Sequence, residues 1–203
     1  ICQHTAGTDS TQWRYLMEDR DLTQKFRFIA YDLPGHGKSE PPLDAPYWER
    51  EQSLKADWIV KFVLAFSKAL GLDRPAFLGC SIGGVIAHLL AARAPDSFRG
   101  FIGLAGTNPT GGFYHDWWTD PEVNNFILMD AVGESVIAPA LPERNRRAVR
   151  WIQTRNDVRT LRDDLYLWGV ENTDPSIGAA IDASRVKLFV FAGEDEVTCP
   201  PEQ

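Results

Sequence analysis

The sequence predicts an α/β fold, with a mostly parallel sheet and helices on its faces. Short apolar runs alternate with helical stretches along the chain, which is the pattern of parallel strands and their crossover helices. One strand-to-helix junction, residues 79–83, reads GCSIG, with a serine between two glycines. A long helical stretch before the last strand predicts an insertion in a single domain of 203 residues.

Four apolar runs predict the strands. They span residues 26–31, 76–79, 98–105 and 186–192. Residues 54–70 predict an amphipathic helix that ends at Gly71, a residue suited to a C-terminal cap. Residues 82–94 predict a second helix, which stops at Pro95 and has four inward-facing side chains, Val85, Ile86, Leu89 and Leu90.

Residues 107–183 predict a helical lid. Within them, the Asp-Pro-Glu sequence of residues 120–122 is typical of a helix start, and residues 141–155 and 157–170 predict two further helices. This is more chain than one crossover helix needs. An insertion at this point lies over the C-terminal ends of the strands, where open α/β sheets bind ligands.

We therefore expect three parts along the chain. They are a core at residues 1–106, the lid at 107–183, and the last strand with its following loop at 184–203. Trp117 and Trp118 in the lid predict an apolar substrate pocket. The alternative for each tryptophan is that it packs the lid onto the core.

The composition disfavours several classes of partner. The net charge of −7 argues against nucleic acid and anionic membranes, and no apolar run is long enough to span a bilayer. Cys2, Cys80 and Cys199 have neither metal-ligand spacing nor a disulfide framework, so we expect reduced thiols and a cytoplasmic location. We expect a small-molecule substrate and neither a metal nor an organic cofactor.

Ser81 is the candidate nucleophile. A serine in a tight turn between a strand and a helix stands clear of the sheet, and flanking glycines let neighbouring backbone pass without a Cβ clash. The amide of Ile82, at the helix start, is then placed to bind a developing oxyanion. The alternative is that Ser81 is an ordinary helix N-cap.

Four segments together resemble the α/β-hydrolase fold superfamily, in its lid-bearing branch of esterases, lactonases and carbon–carbon bond hydrolases. They are a histidine-containing loop, a DLPGHGKS loop, the GCSIGG turn and a GEDE loop after the last strand, at residues 4–7, 32–39, 79–84 and 193–196. The resemblance covers essentially the whole chain. It implies a triad in the chain order serine, acid, histidine, and it does not identify the substrate.

The resemblance also implies roles for individual residues. Ser81 is the nucleophile, and the amides of Ile82 and Ala6 form the oxyanion hole, although the loop of Ala6 has a threonine where the family usually has glycine. The triad acid is Glu196 by position, and the adjacent Asp195 is the alternative.

The triad histidine has no candidate in this sequence. The four histidines are His4, His36, His88 and His115, and all precede the acid. We expect the first two to support loops, the third to belong to the helix after the serine, and the fourth to lie in the lid. The chain therefore looks cut at both ends, and we expect little activity from this piece alone.

The family's strand order raises a further expectation. The strand before residue 4 would lie between the strands at 26–31 and 76–79, and only Ile1 and Cys2 remain of it. We expect its two neighbours to be short of ladder partners, and the 203-residue piece to be poorly stable and aggregation-prone.

The leading hypothesis is a serine hydrolase. It would act on a small apolar ester, lactone or related carbonyl compound through an acyl-enzyme at Ser81. The alternative is a non-catalytic member of the same fold that binds a ligand or a partner protein. A thiol nucleophile at Cys80 is rejected because Ser81 holds the central position of the turn.

Overall fold

The computed structural model describes residues 1–41, 54–106, 114–172, 174, 176–196 and 198. A five-stranded parallel sheet lies at the centre, in the order β2-β1-β3-β4-β5. The strands are β1 (Cys2–Gln3), β2 (Ala30–Tyr31), β3 (Ala76–Cys80), β4 (Gly100–Leu104) and β5 (Leu188–Phe191). The predicted α/β fold with a parallel sheet is confirmed.

Eight α-helices lie within the described residues. They are α1 (Arg14–Glu18), α2 (Arg20–Thr23), α3 (Ala56–Ala69), α4 (Ile82–Arg93), α5 (Asn125–Ser135), α6 (Glu143–Thr154), α7 (Val158–Tyr166) and α8 (Ser176–Ala179). A π-helical segment, Leu167–Glu171, extends α7. None of the helices in this part of the chain has the length and apolar character needed to cross a bilayer.

Helix α4 lies at the centre of the core because it is covered on nearly every side. It packs against α3, β3 and β4, and the four side chains predicted to face inward are all buried. An aromatic layer adjoins it: the Phe98 ring lies 6.0 Å from that of Phe77 and 5.3 Å from that of Phe101. A helix that is apolar all round is stable only in such a buried position.

Strand β1 lies between β2 and β3, where the sequence predicts an incomplete ladder. Cys2 and Gln3 pair with β2 on one side and with β3 on the other. The Cys2 amide donates to the Ile29 carbonyl at 2.8 Å, and the Leu78 amide donates to the Ile1 carbonyl at 2.8 Å. β2 and β3 therefore have a common neighbour, which supplies two ladder positions to each, and they are short of ladder partners beyond those two.

Strand β2 is shorter than predicted. The prediction covers residues 26–31, and the structure has only Ala30–Tyr31 in the sheet. Because β1 offers two residues for pairing, the ladder ends there, and Phe26 is left 59% exposed. The other predicted strands and the two predicted core helices agree with the structure to within two residues at each end.

The helices between β4 and β5 begin differently from the prediction. The Asp120 carboxylate accepts the Glu122 amide at 2.9 Å in a turn rather than a helix start. Helix α5 begins later because Asn124 caps it, accepting the Ile127 amide at 3.0 Å. The two further predicted helices are present as α6 and α7.

The end of α6 meets the core through buried polar contacts. The Asp9 carboxylate is 1% exposed and accepts hydrogen bonds from Arg155 Nε at 2.7 Å and Asn156 Nδ2 at 3.2 Å. Asn156 Oδ1 in turn accepts the Gly37 amide at 2.9 Å. The loops that follow β1 and β2 are therefore joined to the segment between α6 and α7.

Asp9 is held in its ionised form. Burial disfavours the charge, but hydrogen bonds from Arg155, Thr11 and Asn156 outweigh it and lower the pKa of Asp9 from 3.8 to about 2. A carboxylate whose pKa is lower in the folded state stabilises that state above its unfolded pKa. This contribution is lost as the pH falls through about 2.

Replacing Asp9 is therefore expected to destabilise the fold in a pH-dependent way. Asp9→Asn should lower the free energy of unfolding by about 2 kcal/mol at pH 7, and the difference from wild type should shrink as the pH falls from 4 to 2. Urea denaturation at a series of pH values measures this. The control is Asp57→Asn, which breaks an exposed ion pair with Arg93 and should cost less than about 1 kcal/mol. Equal losses in the two variants would contradict the assignment.

Candidate active site

Ser81 lies on a strained bend between β3 and α4. Its φ of 55° and ψ of −115° belong to a region that side-chain-bearing residues rarely adopt. The bend is anchored at the C-terminal edge of the sheet, because the Ser81 amide donates to the Leu104 carbonyl at 2.7 Å. The side chain is partly exposed, and its hydroxyl has no hydrogen-bond partner among the described residues. The bend thus presents a free hydroxyl at the end of the sheet.

Three glycines make room for this bend. A Cβ on Gly79 would lie 2.0 Å from the Gly83 carbonyl oxygen, and one on Gly83 would lie 2.7 Å from the Gln3 carbonyl oxygen. A Cβ on Gly84 would lie 2.8 Å from the Gly106 Cα. At each position a side chain would collide with backbone, so the turn, β1 and the segment after β4 pack together only as glycine contacts.

Two backbone amides beside this bend lack an acceptor among the described residues. One is Ile82, the first residue of α4, whose amide no earlier residue of the helix can accept. The other is Ala6, in the loop that leaves β1 alongside the bend. The loop amides around Ala6 are occupied: Thr5 donates to Gln12 Oε1 at 2.8 Å, and Gly7 donates to Asp164 Oδ2 at 2.8 Å. The predicted donors are therefore both available.

The predicted acid loop follows β5 at the same edge of the sheet. Cys80, Leu104 and Phe191 are in register across three strands, which places the end of β5 about 10 Å from that of β3. Glu196 is partly buried and accepts the Thr198 amide at 2.8 Å. Asp195 is exposed. The structure places both carboxylates in this loop and does not choose between them.

The two lid tryptophans have different surroundings. Both belong to a 3-10 turn, Asp116–Thr119, in which Trp118 is buried and Trp117 is 52% exposed. The Trp117 ring stacks on that of His115, with centroids 5.8 Å apart. Trp118 contributes to the hydrophobic core, as the packing alternative predicts, and its indole N–H has no acceptor among the described residues.

The other three histidines bond to backbone groups. His4 Nδ1 lies 2.8 Å from the Thr5 carbonyl oxygen, and Nε2 accepts the Leu33 amide at 3.1 Å, so this ring supports its loop. His88 Nδ1 contacts the carbonyl oxygen one turn earlier in α4. His36 Nδ1 contacts the Pro34 carbonyl oxygen at 3.2 Å. Among the described residues, no imidazole is hydrogen-bonded to the Ser81 hydroxyl.

Comparisons with known proteins agree with this geometry. The sequence model described as the alpha/beta hydrolase fold matches residues 1–132. The chain belongs to the α/β-hydrolase fold family. The strained bend at Ser81 has the strand–turn–helix form of a nucleophile elbow.

Individual relatives of this α/β-hydrolase cover different shares of it. The 2-hydroxymuconate semialdehyde hydrolase of Pseudomonas sp. strain CF600 is 30% identical over 71% of this chain and 52% of its own length. A dihydrolipoyllysine-residue acetyltransferase component of the acetoin cleaving system, from Cupriavidus necator, is 24% identical over 96% of this chain and 51% of its own length. The chain therefore spans about half the length of these relatives.

A solved structure supports the fold of the α/β-hydrolase over its full length. The enol-lactonase of Burkholderia xenovorans LB400 superposes with a TM-score of 0.80 at 22% identity, covering all of this chain and 75% of that one. At this identity the likeness concerns the fold.

The sequence analysis missed the polar residues that join α6 and α7 to the loop after β1 in this α/β-hydrolase. Gln153 Nε2 donates to the Gly7 carbonyl at 3.3 Å, and Asp164 accepts the Gly7 amide. Gln153 and Asp164 are 3% and 1% exposed. The available signal was Asp164 itself, an acidic residue on the apolar face of α7 between Leu161 and Leu165.

The backbone strain at the elbow gives a stability prediction. Ser81→Gly and Ser81→Ala both remove the hydroxyl, but only glycine tolerates the observed φ and ψ without strain. The strain costs about 1–3 kcal/mol, and the greater freedom of glycine in the unfolded chain offsets under 1 kcal/mol of that. We expect Ser81→Gly to exceed Ser81→Ala by about 1 kcal/mol in the free energy of unfolding, measured by chemical denaturation. A less stable glycine variant would contradict the strained bend.

Proposed function

We propose that this α/β-hydrolase is a serine hydrolase whose nucleophile is Ser81. The observation that carries the proposal is the combination of a free hydroxyl on a strained bend with the unpaired amides of Ile82 and Ala6. A carbonyl group held beside that hydroxyl would have its oxygen within reach of both donors. Attack by Ser81 then moves negative charge onto that oxygen, where fixed N–H dipoles stabilise it most effectively.

The reaction runs through an acyl-enzyme. The Ser81 oxygen adds to the substrate carbonyl, its proton passes to an imidazole, and the leaving group departs with that proton. Water then adds to the acyl carbonyl and releases the acid. The rings of His4, His36 and His88 are engaged with backbone groups, so none of these three is free to take the Ser81 proton.

The triad acid is proposed to be Glu196, with Asp195 as its alternative. Either carboxylate would orient the imidazole and stabilise its protonated form. The hydrogen bond from the Thr198 amide supports Glu196, because it fixes that carboxylate on a partly buried turn, while Asp195 faces solvent. A fixed acid holds the base in place at a smaller loss of conformational entropy.

The substrate class is a small, largely apolar ester, lactone or related carbonyl compound. The names of two similar proteins, a 2-hydroxymuconate semialdehyde hydrolase and an enol-lactonase, support hydrolysis at or beside a carbonyl group. Trp117 and Trp118 are proposed to supply apolar contacts to the substrate through residues 107–183, the proposed lid. The exposed ring of Trp117 is the better placed of the two for contact with a ligand.

A second candidate function is a non-catalytic member of the fold that binds a ligand or a partner protein. It is favoured by one observation, the lack of an imidazole on the Ser81 hydroxyl among the described residues. The two candidates differ in whether Ser81 is activated, which can be measured directly.

A fluorophosphonate probe tests this activation. We expect strong labelling of Ser81 in the full-length natural protein, no labelling after Ser81→Ala, and full labelling after Ser135→Ala, which alters an exposed serine of α5. Hydrolysis of p-nitrophenyl butyrate should fall by about 10⁴-fold or more in Ser81→Ala. We expect this 203-residue chain alone to label weakly. Absence of labelling in the full-length protein would favour the binding alternative.

A further inference from the structure

We propose that Asp164 is a positioning residue of the oxyanion loop, which binds the Gly7 amide and thereby leaves the Ala6 amide as the free donor of that loop. The proposal rests on the function proposed above. Asp164 Oδ2 accepts the Gly7 amide at 2.8 Å, and the same oxygen lies 3.0 Å from His36 Nε2. Asp164 and His36 are 1% and 4% exposed, so solvent cannot replace either contact.

Gly7 is held from both sides, which makes the loop position definite. Besides the contact of its amide with Asp164, its carbonyl accepts Gln153 Nε2 at 3.3 Å. Its φ is +60°, and a Cβ there would lie 2.8 Å from both Gln153 Nε2 and Leu161 Cβ. The helices therefore pack directly on the Gly7 backbone, and each of the two peptide groups that flank its Cα is held by one hydrogen bond.

The Asp164 contact decides which loop amide is free. With Thr5 bonded to Gln12 and Gly7 bonded to Asp164, the Ala6 amide is left without an acceptor between two occupied neighbours. Without Asp164, the buried Gly7 amide would need another acceptor, and rotation of the loop would also move the Ala6 amide. Asp164 thus acts through the loop and does not itself touch the substrate.

His36 supplies the counter-charge for Asp164. Both of its ring nitrogens face acceptors, the Pro34 carbonyl oxygen and Asp164 Oδ2, so the doubly protonated imidazolium satisfies both. The other titratable groups that act on it are His4, whose ring centroid is 4.9 Å away, Asp32 and Asp163. Burial opposes the charge, but Asp164 outweighs burial and the pKa of His36 is raised above its usual value of 6.5.

The test compares Asp164 variants with a matched control in the full-length natural protein. Asp164→Ala removes the acceptor, and we expect kcat for p-nitrophenyl butyrate to fall by about 30- to 100-fold, with KM within about 3-fold of wild type. Asp164→Asn keeps one oxygen, which can accept both the Gly7 amide and the Nε2–H of a neutral His36, so it should recover most of kcat.

The control is Asp163→Asn, the same chemical change one residue earlier on α7. Burial, together with the charge of Asp164, raises the pKa of Asp163 to about 8, so this side chain is mostly uncharged at pH 7. The amide therefore resembles the native form, and we expect kcat within about 2-fold of wild type. Equal losses in Asp163→Asn and Asp164→Ala would overturn a specific role for Asp164.

Two NMR measurements test the proposal independently of catalytic activity. Exchange of the Gly7 amide should be slow in wild type and in Asp164→Asn, and faster in Asp164→Ala. The His36 ring should remain protonated above pH 6.5 in wild type and lose its proton at lower pH in Asp164→Asn. Unchanged Gly7 exchange in Asp164→Ala overturns the proposal even if Ser81 proves inactive, whereas an inactive wild type with the expected exchange overturns only the proposed function.

A double variant covers the case in which Asp164→Ala does not fold. Asp164→Leu with His36→Phe removes both charges together, so no unpaired charge stays buried. The Gly7 amide still loses its acceptor, and we expect the same loss of kcat and the same faster exchange of Gly7. Wild-type values for both measurements in a folded double variant would overturn the proposal.

Discussion

The architecture of the site depends on close backbone-to-backbone packing at the strained bend of Ser81. Gly79 lies under Gly83, and Gly83 lies against Gln3 of β1, at separations that exclude any Cβ. These contacts bring the first turn of α4 onto the end of β1. The loop of Ala6 leaves β1 just after Gln3, the residue that packs against Gly83. The strained bend at Ser81 and the start of the loop after β1 are therefore joined by one packing constraint.

The contact of α6 and α7 with the loops after β1 and β2 is polar because of the backbone groups in those loops. Residues after β1 and β2 are irregular, so their amides have no ladder partner and still require acceptors when they are buried. An apolar helix face would leave those amides unsatisfied. Instead, side-chain oxygens of Asp164 and Asn156 accept the Gly7 and Gly37 amides. Buried polar side chains on α7 and just after α6 are thus the structural cost of covering an irregular edge of the sheet.

The sequence predicts the elements that follow local rules and misses those that depend on distant partners. The period of α4 and the glycine turn at Ser81 are local patterns, and both are confirmed. The length of β2 depends on how many residues β1 offers, which no pattern within residues 26–31 encodes. The start of α5 was misplaced because two capping sequences compete within a few residues, and Asn124 rather than Asp120 caps the helix.

The same limit applies to the candidate site. Ser81 and Ile82 are neighbours in sequence, so a motif suffices to relate them. The contact of Gly7 with Asp164 joins residues 157 positions apart, and it becomes visible only when α7 is placed on the loop after β1. A single acidic residue on an apolar helix face indicates a buried partner, but it does not say which one.

The two buried histidines near α7 differ in protonation state because their ring nitrogens face different groups. His36 has acceptors at both nitrogens, whereas His4 has an acceptor at Nδ1 and the Leu33 amide, a donor, at Nε2. His4 is therefore satisfied as a neutral ring. Burial, followed by the neighbouring His36 charge, lowers the pKa of His4 to about 4, which agrees with that form.

The two neighbouring carboxyl groups of α7, Asp163 and Asp164, also differ in their surroundings. Asp164 accepts hydrogen bonds from two ring or backbone N–H groups, whereas burial raises the pKa of Asp163 to about 8, so Asp163 is mostly protonated at neutral pH. The His36 ring and the Asp164 carboxylate lie in direct contact, while burial disfavours the charged forms of His4 and Asp163. The contact of His36 with Asp164 is what allows α7 to lie on the loop of Gly7 at a tolerable cost in desolvation. The hydrogen bonds of these groups thereby help the loop of Gly7 to keep its shape.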